Sequence, residues 1–472
     1  MVPEVGAFGR HIVLIGFMGA GKSTIAAEVA RVTDRPFVDT DAEIERRHGP
    51  IDELFIRGEN EFRRLEEEIV LEALAAAAPS VIAVGGGAVT WAPTRDRLRA
   101  VDPYWVHVEV DEAWRRVASS DRPLAKDEEA FRRLYEQRQD LYEDVADVGV
   151  VDAEDILLDA LNIEVASGSI GWLGRRSGAG PGSVALIADE RVLELHAPQL
   201  GERLASSHPI PSGEQAKSLA VVQRLWEELR IDRQGTVVGL GGGTTTDLAG
   251  FVAATYLRGV RWLTVPTTLL AQVDASIGGK TGINQAGVKN SVGAFHYPAG
   301  VFIDPDVLMT LPDHERRAGM AEVVKTALLA GSELWSEPDE EMVRGCAAFK
   351  AGVCLSDPFD EGRRAILNLG HTFAHALEAA AEHSVSHGDA VALGLLAALR
   401  LSGLPTDVVD DVLEPKPVRV DRSKAWAALE RDKKRAGGKP SLVLLEGPGE
   451  PRSGVQLPDA DIRRALDELI AD

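Results

Sequence analysis

Residues Gly16-Phe17-Met18-Gly19-Ala20-Gly21-Lys22-Ser23 spell G-x-x-x-x-G-K-S, between a strand-like run, His11–Ile15, and a helix-forming stretch, Ser23–Arg31. This pattern constrains the fold more than any other in the chain. A glycine-rich loop turns its backbone N–H groups on phosphate oxygens when a strand delivers it to the N-terminus of a helix. An α/β fold with a parallel sheet and helices on both faces is therefore expected. Lys22 would reach the terminal phosphates of a nucleotide and Ser23 would ligate Mg2+. A chance glycine turn would not supply the strand, the helix and the Lys-Ser pair together.

The segments that follow repeat the alternation. Pro36–Asp39, Val81–Val84, Tyr104–Val110 and Val148–Val151 read as strands, Glu59–Ala78 as a long helix and Asp155–Leu161 as a short one. Such β-α repetition implies parallel pairing, with Asp39-Thr40-Asp41 at the end of a second strand lying beside the first. At 472 residues the chain exceeds what one core supports, so two or three domains are expected. Ala166–Ser183, rich in Gly and Ser, reads as a loop. Strands resume at Val184–Ala188 and Thr236–Leu240, the latter entering Gly241-Gly242-Gly243, and beyond Pro312 the chain turns helical. The expected organisation is a P-loop domain over 1–161, an α/β subdomain over 162–311 and an all-helical subdomain over 312–472.

Composition narrows the setting. No run of 18 apolar residues occurs, so no membrane span is expected. Met1–Arg10 lacks the basic and apolar regions of a signal peptide. Two cysteines, Cys346 and Cys354, argue against a disulfide scaffold and for a reducing, cytoplasmic setting. A net charge of −23 argues against nucleic acid as a partner. Small anionic substrates remain open, provided Lys and Arg gather locally.

Several features after the P-loop describe an acceptor for the phosphoryl group. Of Asp39 and Asp41, one suits Mg2+ through water and the other a substrate hydroxyl, unless one simply caps the next helix. Glu61-Phe62-Arg63-Arg64, Gly85-Gly86-Gly87, Arg122-Pro123-Leu124 and Arg138 add three separated arginines and a second glycine turn, a set that suits a small anion. Through GFMGAGKST, DTDAEIE, GENEFRRLE, GGGAV, DRPL and RQDLYEDVAD, the stretch Ile12–Leu161 resembles shikimate kinase. The resemblance implies ATP on Gly19, Ala20, Gly21, Lys22, Ser23 and Thr24, with Mg2+ at Ser23 and Asp39. It implies shikimate on Asp41, Arg63, Gly86 and Arg138. Asp41 would assist deprotonation, and Arg122, on a closing lid, would stabilise the transferring phosphoryl group. One departure is Gln139-Asp140 where the family often has Asn-Pro, which would set a carboxylate near the Arg138 clamp.

The second half carries a different signature. His371 and His375 lie four apart, on one face of a helix, and His387 and Glu322 complete a donor set for a zinc-like ion. Spacing alone leaves open which two histidines bind. Lys280, Lys289, Lys325, Lys350, Arg364 and Lys433 suit a substrate bearing both a phosphate and a carboxylate. Gly241-Gly242-Gly243 permits close approach to a pyrophosphate. Through PSGEQAKS, GLGGGTTTDLAGFVAATYLRG, VPTTLLAQVDASIGGKTGIN, KNSVGAFHYP, GMAEVVK, RRAILNLGHTFAHALE, SHGDAVALG and RDKK, the chain from Asn162 onward resembles 3-dehydroquinate synthase.

That resemblance implies Zn2+ (or Co2+) on Glu322, His371 and His387. It implies NAD+ near Asp189, Glu214, Lys217, Gly242, Gly243, Asp247, Thr267, Thr268, Lys280 and Lys289. Lys280, Asn290, His375 and Lys433 would take the phosphate end of a heptulosonate phosphate, with Arg258 donated by a second subunit of a homodimer. Lys350, Arg364 and Asn368 would take its carboxylate, and Asp274 and Lys325 its hydroxyls. Catalysis would fall to Asp41 and Arg122 in the first site and to Lys280, Lys325 and His375 in the second. Ile163–Gly168 would be the remnant of an opening hairpin. Thr246 stands where the family usually has Gly and would strain a turn needing positive φ. Two other readings stay open: a related sugar-phosphate cyclase or metal-dependent dehydrogenase in the second half, or a nucleotide sensor in the first.

Overall fold

Short apolar runs without alternation suit strands covered on both faces. Five build one parallel sheet: β1 (Ile12–Ile15), β2 (Phe37–Asp39), β3 (Val81–Ala83), β4 (Tyr104–Val106) and β5 (Val148–Val150), in the order β2-β3-β1-β4-β5. The second strand is thus not beside the first. β3 lies between them, with Val81 opposite both Ile12 and Phe37. The computed structural model describes residues 6–118, 126–172, 183–196, 204–382, 384–435 and 441–471. The chain divides into two compact units, Val5–Ala160 and Leu161–Asp472, and this sheet belongs to the first.

Two elements of that unit are shorter than the sequence pattern suggests. The long helix spans Glu59–Leu74, because Ala75–Ala78 are exposed, with no face to bury, and Pro79 excludes Ala78 from helical geometry. The fourth strand stops at Val106, and Val110 begins a helix whose first turn carries Asp111 and Glu112, favoured by the helix dipole.

The second unit has a six-stranded sheet. Its strands are β6 (Ile163–Val165), β7 (Val184–Asp189), β8 (Leu204–Ile210), β9 (Thr236–Gly241), β10 (Arg261–Pro266) and β13 (Val301–Ile303). The order is β6-β13-β10-β9-β7-β8, with parallel pairing throughout. β6 corrects the expectation of a hairpin remnant at Ile163–Gly168. It pairs parallel with β13, Ile163 opposite Val301, at the far edge from β8. An antiparallel pair, β11 (Lys280–Gln285) and β12 (Val288–Phe295), projects from the chain before β13.

The helical part is built on Asp313–Ala330, Asp339–Ser356, His371–Ala380 and His387–Ser402. It is not all helical. β14 (Leu442–Leu445) and β15 (Pro451–Val455) form an antiparallel pair, since Leu-Val-Leu-Leu is buried throughout and Gly447 and Gly449 turn the chain. Among the described residues no helix is long and apolar enough to cross a membrane.

The glycine run after β9 shows where backbone freedom is needed. Gly241 has φ 154°, and a Cβ there would lie 2.6 Å from Thr245 Oγ1. Thr246 needs no such freedom. It sits in the helix Gly243–Thr255, buried, with ordinary helical φ, and its hydroxyl donates to Gly243 O at 3.0 Å. The expected strain at Thr246 is absent because the left-handed position falls at Gly241. Thr246→Gly should therefore destabilise the protein, by about 0.3 kcal/mol from helix propensity alone and more from the lost buried methyl. A thermal melt in which the variant gains stability would show strain at this position after all.

Candidate active sites

In the first unit the P-loop closes on itself. Lys22 Nζ donates to Gly16 O at 2.8 Å and to Phe17 O at 3.2 Å, so the amine is held over the loop. Asp39 caps the next helix and also meets the P-loop serine. Oδ1 caps the next helix through Ala42 N at 3.1 Å, and Oδ2 accepts from Ser23 Oγ at 2.5 Å. The Ser23–Asp39 pair offers oxygens to a hard cation where the helix N-terminus meets the carboxyl end of the sheet. Arg116, which sequence reasoning missed, donates to Gly19 O at 3.1 Å and braces the loop from outside.

Beside the loop lie two buried arginines, Arg63 at 4% and Arg138 at 6% exposure. Arg63 packs against Phe55 and Phe62, 5.5 and 5.2 Å from the ring centres, and donates to Glu66 Oε2 at 2.6 Å. Arg138 lies 5.8 Å from the centre of the Phe17 ring and donates to Gly86 O at 3.1 Å. Gly87 lets Arg63 pass, since a Cβ there would be 2.8 Å from the guanidinium carbon. The Nε atoms of both arginines are buried with no hydrogen-bond partner among the described residues. Two buried, unpaired guanidinium donors fit an anionic ligand that supplies the missing acceptors.

Asp140 does not crowd this clamp. It is exposed while Arg138, two residues away on the helix Glu128–Glu143, is buried, so the two point to different faces. Asp41 faces the same space as Glu66, since a Cβ on Gly85 would lie 2.6 Å from Glu66 Oε1 and against Asp41 Oδ1. Glu66 was also missed. Burial pushes its carboxyl up to about 7, against the pull of Arg63. Arg122 lies outside the described residues, and so does the side chain of Lys433.

In the second unit, one ligand atom from each of Glu322, His371 and His387 falls within 4.8 Å of the others. Glu322 comes from the middle of the helix Asp313–Ala330, while each histidine opens its own helix, His371–Ala380 and His387–Ser402. Both histidines turn Nε2 toward Glu322 Oε1, at 3.4 and 3.3 Å. His371 Nδ1 lies 3.2 Å from Leu369 O, so that nitrogen carries the proton and Nε2 is left free to ligate. The carboxylate is fully buried. Burial alone would raise it, but Lys325 at 2.5 Å and the two histidines hold it well below the usual range. One carboxylate and two imidazoles fit Zn2+ or Co2+ with an open position for a substrate oxygen. His375 is exposed on the same helix, its ring 5.6 Å from that of His371, and is not part of this group.

Around that cluster the cations are paired rather than free. Lys325 lies 4.0 Å from Asp274, and Lys350 donates to both the carbonyl and the carboxylate of Asp274. Burial would raise Asp274, but the two lysines hold it below its ordinary value. Arg364 donates to Gly278 O at 2.9 Å. Lys280 pairs with Asp360 at 2.6 Å, a residue sequence reasoning passed over. Asp360 sits at φ 60° in a turn whose backbone N–H groups are gathered by Asp357.

A second network joins Lys217 to Asp247 at 2.5 Å and to Asn290, with Glu214 accepting from Asn284 at 2.7 Å. Thr267 N donates to Gly241 O at 3.0 Å, and Gly242 faces the Thr268 methyl, across the N-terminus of the helix Gly243–Thr255. Asp189 ends β7 and accepts from Arg191 N at 2.9 Å. Lys289 lies apart from that network, 3.8 Å from Glu378. Arg258 and Asn368 are exposed and stand outside both networks. Arg258 and its neighbour Leu257 have φ 67° and 50°, an unusual pair of left-handed residues.

These folds and sites define a two-site enzyme, a P-loop kinase unit joined to a metal- and dinucleotide-dependent cyclase unit. The shikimate kinase family model matches residues 18–160, and the N-terminal and C-terminal 3-dehydroquinate synthase models match residues 207–318 and 319–415. A bifunctional shikimate kinase/3-dehydroquinate synthase of Thermotoga maritima is 35% identical, covering 90% of this chain and 93% of its own. The chain belongs to that bifunctional family. A 3-dehydroquinate synthase of Salinibacter ruber is 40% identical over 61% of this chain and 88% of its own. Among solved structures, a 2-epi-5-epi-valiolone synthase from Streptomyces hygroscopicus with NAD+ and Zn2+ bound is 26% identical, covers 65% of this chain and 96% of its own, and has a TM-score of 0.57. A 2-deoxy-scyllo-inosose synthase complexed with carbaglucose-6-phosphate, NAD+ and Co2+ is 25% identical over 61% of this chain and 90% of its own, with a TM-score of 0.55.

Glu66 gives the first unit a pH signature. Its carboxyl, ordinarily near 4.5, is pushed up to about 7 in the folded state. Folded protein therefore holds more protons than unfolded between these values, and stability falls as pH rises through that window. Glu66→Gln removes the titration. The melting-temperature difference, variant minus wild type, should grow from pH 4.5 to 7 and stay constant above. A difference that is flat across this range would show that Glu66 is ionised throughout.

Proposed function

We propose that residues 1–161 transfer the γ-phosphoryl group of ATP to the 3-hydroxyl of shikimate. Residues 162–472 cyclise 3-deoxy-D-arabino-heptulosonate 7-phosphate to 3-dehydroquinate with release of phosphate. The observation that carries this reading is the presence in one chain of a P-loop beside two unsatisfied buried guanidinium donors and, in a separate unit, the Glu322-His371-His387 cluster among paired lysines.

In the kinase unit, Gly19, Ala20, Gly21, Lys22, Ser23 and Thr24 hold ATP, and Ser23 and Asp39 hold its Mg2+. Arg63 and Arg138 clamp the shikimate carboxylate, satisfying their free Nε–H groups. Gly86 contacts the ring, and Asp41 accepts the hydroxyl proton as the oxygen attacks. Arg122 neutralises charge on the phosphoryl group in flight.

In the synthase unit, residues 162–311 hold NAD+ and residues 312–472 the metal. NAD+ supplies a temporary acceptor for the hydride of the substrate alcohol, and Zn2+ or Co2+ at Glu322, His371 and His387 polarises that alcohol. Asp189, Glu214, Lys217, Gly242, Gly243, Asp247, Thr267, Thr268 and Lys289 position the dinucleotide. Lys280, Asn290, His375 and Lys433 bind the phosphate, with Arg258 from a second subunit of a homodimer. Lys350, Arg364 and Asn368 bind the carboxylate. Asp274 and Lys325 hold the ring hydroxyls. Buried Lys350 and Arg364 favour a carboxylated substrate over the uncarboxylated ones of related cyclases. Two buried free thiols, Cys346 and Cys354, suit a cytoplasmic setting.

Both activities are measurable on one preparation, by phosphate release from the heptulosonate phosphate with NAD+ and Zn2+ and by ATP-dependent phosphorylation of shikimate. His371→Ala should lower the first by about 100-fold or more and leave the second intact, and Lys22→Ala should do the reverse, as expected for the loss of an electrostatic stabiliser. Loss of both activities from either substitution in a folded protein would refute independent sites.

A further inference from the structure

The two imidazoles of the metal cluster are held in different ways. His371 is buried, its side chain 11% exposed, and its Nδ1 meets the backbone carbonyl of Leu369 at 3.2 Å. Packing and a rigid neighbour fix that ring. The His387 side chain is 37% exposed, so packing alone holds it poorly. Its Nδ1 faces a carboxylate, Glu378 Oε1, at 3.5 Å. Glu378 stands seven residues after His371 on the same helix, two turns along on the same face, and is itself 8% exposed.

We propose that Glu378 is the outer carboxylate of the metal centre. It accepts the Nδ1–H of His387, which fixes the tautomer and leaves Nε2 free to ligate beside Glu322. An anionic acceptor on the far nitrogen also makes the ligating nitrogen a better donor. Glu378 thus does by charge for the exposed histidine what burial and a carbonyl do for the other. The same oxygen lies 3.8 Å from Lys289 Nζ on β12, so one carboxylate serves both a metal ligand and the β11-β12 pair that carries Asn290. Glu378 touches neither the metal position nor substrate in this scheme, and is a positioning residue.

The inference rests on the metal reading of Glu322, His371 and His387, and the test separates the two. Full-length protein stripped with a chelator is titrated with Co2+ and with Zn2+ against a competing fluorescent chelator, and the visible absorption of the Co2+ form is recorded. Glu378→Ala should weaken both metals by about 10- to 100-fold. Glu378→Gln keeps the shape but offers only a neutral acceptor, and should fall between Ala and wild type. The Co2+ bands of Glu378→Gln should shift. Kinase activity should match wild type in both variants, and the graded order of metal affinities with the band shift is what a merely structural role would not give. Metal affinities within about twofold of wild type in both variants would overturn the assignment. Wild-type protein that binds neither ion would instead refute the metal reading itself.

Discussion

The second unit is organised around one carboxylate. Glu322 has no solvent exposure, and an isolated charge in that position would cost many kcal/mol. It stays ionised because Lys325 lies 2.5 Å away and two imidazole nitrogens approach within 3.4 Å. Every partner comes from an element fixed by other packing: Lys325 from the same helix one turn on, His371 and His387 from the starts of two others. Removing the carboxylate would leave a buried ammonium with only the more distant Asp274, at 4.0 Å, to offset it, which is the costly way to break such a group. The metal position is therefore built into the arrangement of helices and not hung on a loop.

The same device recurs in the first unit with the charges reversed. There Arg63 and Arg138 are the buried cations proposed to face a ligand, and Glu66, at 2.6 Å from Arg63, is the compensating group. Glu66 satisfies one edge of Arg63 and leaves Nε unpaired. In both units a buried charge pair lies at the site where the proposed function puts a small ligand. The aromatic rings of Phe17, Phe55 and Phe62 surround the guanidinium groups and replace water without competing for their donors.

What the sequence conveyed depended on how local each feature is. The P-loop is contiguous, so its strand, turn and helix were all readable, and the structure departs by a residue or two at the ends. Strand order was not readable in the same way. Nothing in Phe37–Asp39 says that β3 inserts beside it, because pairing is decided by the crossover of a later segment. The metal cluster lay between these cases. His371 and His375 share a helical face and were an obvious pair by spacing, yet it is His387, sixteen residues beyond His371 and on another helix, that shares the Glu322 oxygen. Only the family resemblance selected it. Glu66 and Glu378 were invisible because a glutamate in a helix is ordinarily a solvated residue. Their burial is a property of the tertiary packing alone. Thr246 failed in the opposite sense. A residue that departs from a familiar pattern invited an expectation of strain, but the left-handed conformation had been placed five residues earlier, at Gly241.

Pairing also bears on how a chain of net charge −23 could receive the anions proposed for both sites. Lysines and arginines left bare in so negative a field would be drawn to whatever carboxylate came near. Here five of the candidate cations already have one: Lys217 with Asp247, Lys280 with Asp360, Lys325 with Glu322, Lys350 with Asp274 and Arg63 with Glu66. These pairs oppose burial, which lowers both Lys325 and Lys350: Asp274 and Glu322 outweigh it at Lys325, while at Lys350 it prevails even beside Asp274. They also set a threshold for binding. An incoming phosphate or carboxylate gains only the difference between its own contact and the one it perturbs, so weakly placed anions gain little. A ligand carrying two anionic groups at the right separation perturbs several pairs at once and gains at each. On the proposed function, selectivity for doubly charged substrates would then follow from the carboxylates that guard the cations as much as from the cations themselves.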